Sequence, residues 1–280
     1  MSDPAQSPAD LPRETAGTAA RFGLAWWPIP LLAWAMVALR VMDQPLVRHL
    51  AWLDWLAHRC IPFLALLLIV VPAARTFPVS RRLNVLMLGC GLLVLQIALA
   101  IAPLAFAQEA DTAFAIYNTC ALLSALCHLS GLGVTHSRTA GVRRPAAWLA
   151  TVYSGGVAAV ALIAWLAFTG RMPVFFIDGQ GGTRAVVVSA AVGLLLLAAA
   201  LLQRMNRSLP SPFLRWYGPG LVLLAISLAG SLMLAQRDTP LNWLTQGTVI
   251  LGVAYMSVAA LAPMRETGGW RISLEAVEAA

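Results

Sequence analysis

The residues that could do chemistry here are few, and they gather on one stretch. His128 is the only one of the four histidines well inside an apolar run. Cys127 precedes it and Cys120 lies two helical turns earlier, so on a helix all three approach one stripe. Asn118 and Ser124 on the same run, and Gln96 on the run before it, extend a polar interior. Polar and ionisable groups set in the middle of a bilayer face protein or water, and they mark the positions where ligands and ions are met. His128, Cys127, Asn118 and Gln96 are therefore the candidate ligand-binding residues. The competing reading of the same residues is a set of interhelical hydrogen bonds.

The other chemistry is less well provided for. Cys60, Cys90, Cys120 and Cys127 all fall in apolar runs with no CxxC pair, which reads as buried small hydrophobes. A zinc site or a disulfide framework calls for closer, loop-borne ligands, so no metal is assigned. A transmembrane haem needs axial histidines on facing helices, and only one deep histidine exists. His49 and His58 lie in a mixed polar and apolar segment and read as solvated interfacial groups. GxSxG, HExxH, the phosphate-binding GxxxxGK[ST] loop and a dinucleotide GxGxxG in strand-turn-helix context are missing, as are histidine-kinase boxes and GGDEF. No catalytic residue and no cofactor is assigned.

The elements that position these side chains follow from composition. Of 280 residues, 60% are hydrophobic and 11% charged, against about 25% charged in an average soluble domain. With a mean hydropathy of +0.77, the chain reads as an all-α integral membrane bundle. Every basic residue is Arg; with no Lys, a retinal Schiff base is excluded. The net charge of +7 does not argue for nucleic acid, because most of the arginines sit in short loops between apolar segments. The lipid bilayer is the partner that this composition defines.

Apolar runs predict about eight spans: 24–42, 58–74, 83–107, 113–134, 146–169, 184–203, 213–236 and 243–263. Residues 43–59, with leucines at helical spacing among Trp, Arg, His and Asp, suit an amphipathic helix in the interface, or in their second half an extension of the next span. Loops two, four and six carry Arg75, Arg81 and Arg82, then Arg138, Arg143 and Arg144, then Arg204 and Arg207. Positive loops mark the cytoplasmic side, so eight spans place both termini there, in a bacterial inner membrane. Residues 1–22 read as a disordered cytoplasmic tail, 23–263 as the membrane domain, and 264–280 as a linker or the start of a signalling helix. Gly155-Gly156 and Gly218-Pro219-Gly220 either break helices around a substrate or let helices pack closely, the second being the commoner use of small residues. The outer loop at 170–183 combines Phe175, Phe176 and Ile177 with glycines, as a membrane-anchored turn or a pocket cover would.

Three stretches carry a resemblance: PVFFIDGQGGT at 173–183, FLRWYGPGLVLLAISLAGSLMLAQ at 213–236, and LNWLTQGTVILGVAYMSVAALAPMRETGGW at 241–270. Over residues 118–280 the chain resembles the MASE3-like multi-pass sensor region of bacterial PAS-containing histidine kinases. Trp243, Gly252 and Tyr255 match the pattern of that region's last span. The resemblance implies a sensory input module that passes a signal to a cytoplasmic histidine kinase, PAS or cyclase effector, in cis or in trans, and a homodimer as its working form. Ser273 followed by LEAVEAA fits the start of a connecting helix. The alternative is a small-molecule or ion transporter using His128, Asn118 and Gln96; few intramembrane charges and no pair of broken helices count against it.

Overall fold

The computed structural model describes residues 25–42, 60–106, 110–136, 143–173, 182–208, 211–233 and 239–267, and among them every regular element is helical. The expected tail 1–22, the interfacial segment 43–59 with His49 and His58, most of the 170–183 loop, and residues 268–280 lie outside the described residues. In chain order the helices are α1 (Pro28–Val41), α2 (Ile61–Ala65, Leu66–Val70 and Val71–Ser80 end to end), α3 (Leu83–Phe106), α4 (Ala110–His136), α5 (Pro145–Phe168), α6 (Gly182–Ser208), α7 (Pro212–Met233) and α8 (Pro240–Thr267). Six of them, α3 to α8, are long and apolar enough to cross a membrane. The 14 residues of α1 span about 21 Å at 1.5 Å per residue, short of a hydrocarbon core of about 30 Å.

Local chemistry explains where helices begin and end. Pro28, Pro145, Pro212 and Pro240 each open a helix, where proline's fixed φ fits and its missing N–H would have had no intrahelical partner. At the far end of α5, Gly170 takes φ +66°, its N–H bonds to Ala167 O at 3.1 Å, and the Arg171 N–H bonds to Leu166 O at 2.9 Å. That pair of bonds is the left-handed glycine stop that satisfies a helix's last carbonyls.

One expected boundary changes. Residues 75–82 read as a loop, whereas α2 continues to Ser80 and only Arg81 and Arg82 join it to α3. Phe77 is fully buried, and the Thr76 hydroxyl donates to Pro72 O at 2.8 Å, so packing holds helical a segment that Pro78 disfavours. Arg81 ends the helix in the left-handed region, at φ 54°.

The helices pack pairwise, α3 on α4, α6 on α7 and α7 on α8, with α4 against α6 and α5 against α3. Glycines set the closest approaches. A Cβ on Gly131 would meet Asn84 O at 3.3 Å, and one on Gly91 would meet Ser124 O at 3.0 Å, so α3 and α4 run antiparallel in a fixed register. Both helices of the double-glycine question are continuous. Gly156 passes beside Cys90 Sγ and Gly220 beside Gly252 O, so one glycine of each motif serves close packing. One apolar core joins α2, α3, α4, α6, α7 and α8 through residues such as Leu92, Ala121, Leu195 and Leu224. A second joins α3, α4 and α5 around Val94, Ile116 and Val160.

Candidate functional site

The inward stripe of α4 carries Phe114, Asn118, Ala121, Ala125 and His128, each three or four residues from the next. His128 is buried, with Ser124 Oγ 3.5 Å from its Nε2 and Tyr217 OH 3.5 Å from its Nδ1. The Tyr217 ring meets the imidazole edge-on at 6.0 Å and stacks on Phe213 at 4.9 Å. These long contacts and aromatic faces hold the ring in place by packing. Replacing Tyr217 with Phe removes only the 3.5 Å contact and is expected to cost under about 1 kcal/mol, whereas Tyr217→Ala empties a fully buried aromatic site and costs about 3–5 kcal/mol. Thermal unfolding of the two variants in detergent checks the difference.

Asn118 is wholly buried and Gln96 is 2% exposed, and neither amide oxygen or nitrogen has a hydrogen-bond partner among the described residues. The register of α3 on α4 puts Gln96 opposite residues near 121, roughly one helical turn from Asn118. Two buried amides therefore lie about one helical turn apart on facing helices. Leaving such a group unmade costs about 1–3 kcal/mol, so the two amides do not add to stability where they stand.

Of the sequence candidates, the structure brings Asn118 and His128 onto one face of α4, with Gln96 buried on the facing helix α3. Cys127 does not share that stripe. It points along the α3–α5 side, packed against the apolar cluster that holds Cys90. Among the described residues, no three His, Cys, Asp or Glu side chains gather to hold a metal ion.

Sequence reasoning passed over Arg184. Its side chain is 4% exposed, one guanidinium nitrogen donates to Ser231 O, its Cζ lies 4.2 Å from the centre of the Phe114 ring, and Asp111 acts on its charge. It ties the ends of α4, α6 and α7 together at the end of the bundle opposite the Arg81, Arg144 and Arg207 turns. The signal was an Arg at the third residue of a 27-residue apolar helix, where a charge is costly unless it is paired. Tyr217 was hidden for another reason: a Tyr near a helix start reads as an interfacial anchor, and only the packing turns it inward. Known proteins give no match to the chain, whether as a family model, a curated protein or a solved structure.

Proposed function

We propose that the chain is a membrane-embedded sensory input module, crossing a bacterial inner membrane eight times with both termini cytoplasmic, and coupled to a kinase, PAS or cyclase effector. The observation that carries this reading is the pair of buried amides without partners among the described residues, Gln96 and Asn118, on the stripe that leads to His128. A site that is unsatisfied when empty and satisfied when filled gives the two states different affinity for the stimulus, as signal transfer requires. Exposed Arg81, Arg143, Arg144, Arg204 and Arg207 all lie at one end of the bundle, in keeping with a cytoplasmic face there. The unbroken α8 runs from beside α7 to Thr267 and offers a rigid path to that face. The resemblance of residues 118–280 to sensor regions points the same way.

Asn118→Leu and Gln96→Leu test the reading directly. Each replaces a partnerless amide with a side chain of similar volume, so each is expected to raise the melting temperature of the purified protein, by about 1–3 kcal/mol of stability. In a chimera whose kinase takes residues 1–280 as its membrane input, each is expected to fix output at one level while the parent responds to changes of medium. Lowered stability in both variants would return the amides to a structural role. Solute flux through the parent chain in proteoliposomes would favour a transporter instead.

A further inference from the structure

Cys90 and Cys127 stand outside the amide and histidine stripe. They come from antiparallel neighbours, α3 and α4, and both pack in the apolar cluster that joins these helices to α5. Two glycines flank the pair and account for the close approach. A Cβ on Gly91, next to Cys90, would lie 3.1 Å from Cys127 Cβ, and one on Gly156 of α5 would lie 2.9 Å from Cys90 Sγ. Gly91 thus lets the backbones of α3 and α4 come close at this level, the kind of approach that a disulfide, with a Cα separation of about 4.4–6.8 Å, requires. The Cys90 thiol also has the Val152 carbonyl at 3.6 Å.

The two sulfurs differ in access. Cys90 is 4% exposed in the core between α3, α4 and α5. Cys127 is only partly buried and follows Leu126, which is 47% exposed on the outer face of the bundle. Each lies six or seven residues inside its apolar span, about 10 Å along the helix axis from the span's end. At that depth the surroundings are lipid, and an oxidant must be lipid-soluble to arrive. Thiols kept in a reducing compartment and held adjacent serve redox sensing more often than permanent cross-linking.

We propose that Cys90 and Cys127 form a dithiol–disulfide site that is oxidised from the lipid phase by a quinone and that cross-links α3 to α4. Two S–H bonds break and one S–S bond forms. The two electrons and two protons pass to the quinone, which leaves as the quinol. Cys127 is the sulfur the oxidant meets first, and Cys90 resolves it. The cross-link fixes α3 against α4 one residue from His128, so it bears on the same interior that holds Gln96 and Asn118, although the sulfur chemistry does not depend on the sensory reading.

The test uses the full chain in lipid nanodiscs with Cys60 and Cys120 replaced by Ser. It is exposed to a short-chain benzoquinone, then denatured, alkylated with N-ethylmaleimide and mapped by peptide mass spectrometry. The expected result is loss of two masses of hydrogen, a 90–127 linked peptide in most molecules, and return of both alkylation sites on reduction. Cys90→Ser and Cys127→Ser, each with unchanged helical circular dichroism, are expected to abolish the linkage. Full alkylation of both thiols after quinone exposure would overturn the proposal, and so would a thioether adduct of the quinone on Cys127. A water-soluble oxidant at the same concentration is expected to act at least tenfold more slowly, and equal rates would overturn the lipid route.

Discussion

Gly220→Val is expected to lower stability by about 1–3 kcal/mol or more, seen as early loss of helical signal on heating and as proteolysis near α7 and α8. The reason is reciprocal. A Cβ on Gly220 would meet Gly252 O at 3.1 Å and Met256 Cγ at 2.9 Å, and a Cβ on Gly252 would meet Gly220 O at 3.1 Å. Each helix brings bare backbone to the other, so neither can yield by rotating a side chain except at Met256. Membrane helices lack the water-driven force that joins soluble ones, so close backbone contact and small interhelical bonds supply the attraction. Ser227 adds one such bond, donating to Thr245 O at 3.0 Å farther along the same pair. Gly218, whose nearest neighbour is Ala199 O at 3.9 Å, is the internal control, and Gly218→Ala is expected to leave the melting temperature within about 0.5 kcal/mol of the parent. Equal sensitivity at 218 and 220 would show that the sequence motif, and not the crossing, sets the cost.

Arg184→Ala is expected to destabilise by about 2–4 kcal/mol, combining a charged hydrogen bond and a desolvated cation–π contact. The guanidinium donates to the Ser231 carbonyl on α7, lies on the Phe114 ring of α4, and has the Asp111 charge nearby. Arg184→Lys keeps the charge yet loses the planar group that bonds and stacks at once, so it is expected to recover less than half of the loss. Asp111→Asn, at a partly exposed position, is expected to cost less than Arg184→Ala. Denaturant-induced unfolding in one detergent, with all three variants side by side, gives the ranking. Full recovery by Lys would mean that charge alone holds the three helix ends.

These two effects lie on different sides of what could be read from the chain. Apolar runs and opening prolines set the six long helices to within a few residues, because a bilayer demands about 20 apolar residues and leaves little freedom. The same rules failed over 75–82, where a fully buried Phe77 outweighed Pro78; local preference is weak against packing. The stripe expected of Cys120, Cys127 and His128 loses Cys127, which turns toward the cluster that holds Cys90, while Asn118 and His128 are both buried on α4.

Contacts between helices were not legible, because periodicity says nothing of which helices neighbour one another or in what register. Cys127 stands next to His128 in the chain, yet the turn of the helix sends it into the cluster that holds Cys90 on α3. Arg184 meets Phe114 across 70 residues of sequence and Ser231 across 47. The amino-acid sequence alone determined that this protein is helical, lipid-facing and polar only at a few inner positions, since those follow from solvation of each segment by itself. Tertiary structure alone decided which polar groups find partners and which, like Gln96 and Asn118, find none among the described residues, since hydrogen bonds and glycine crossings exist only once two helices meet.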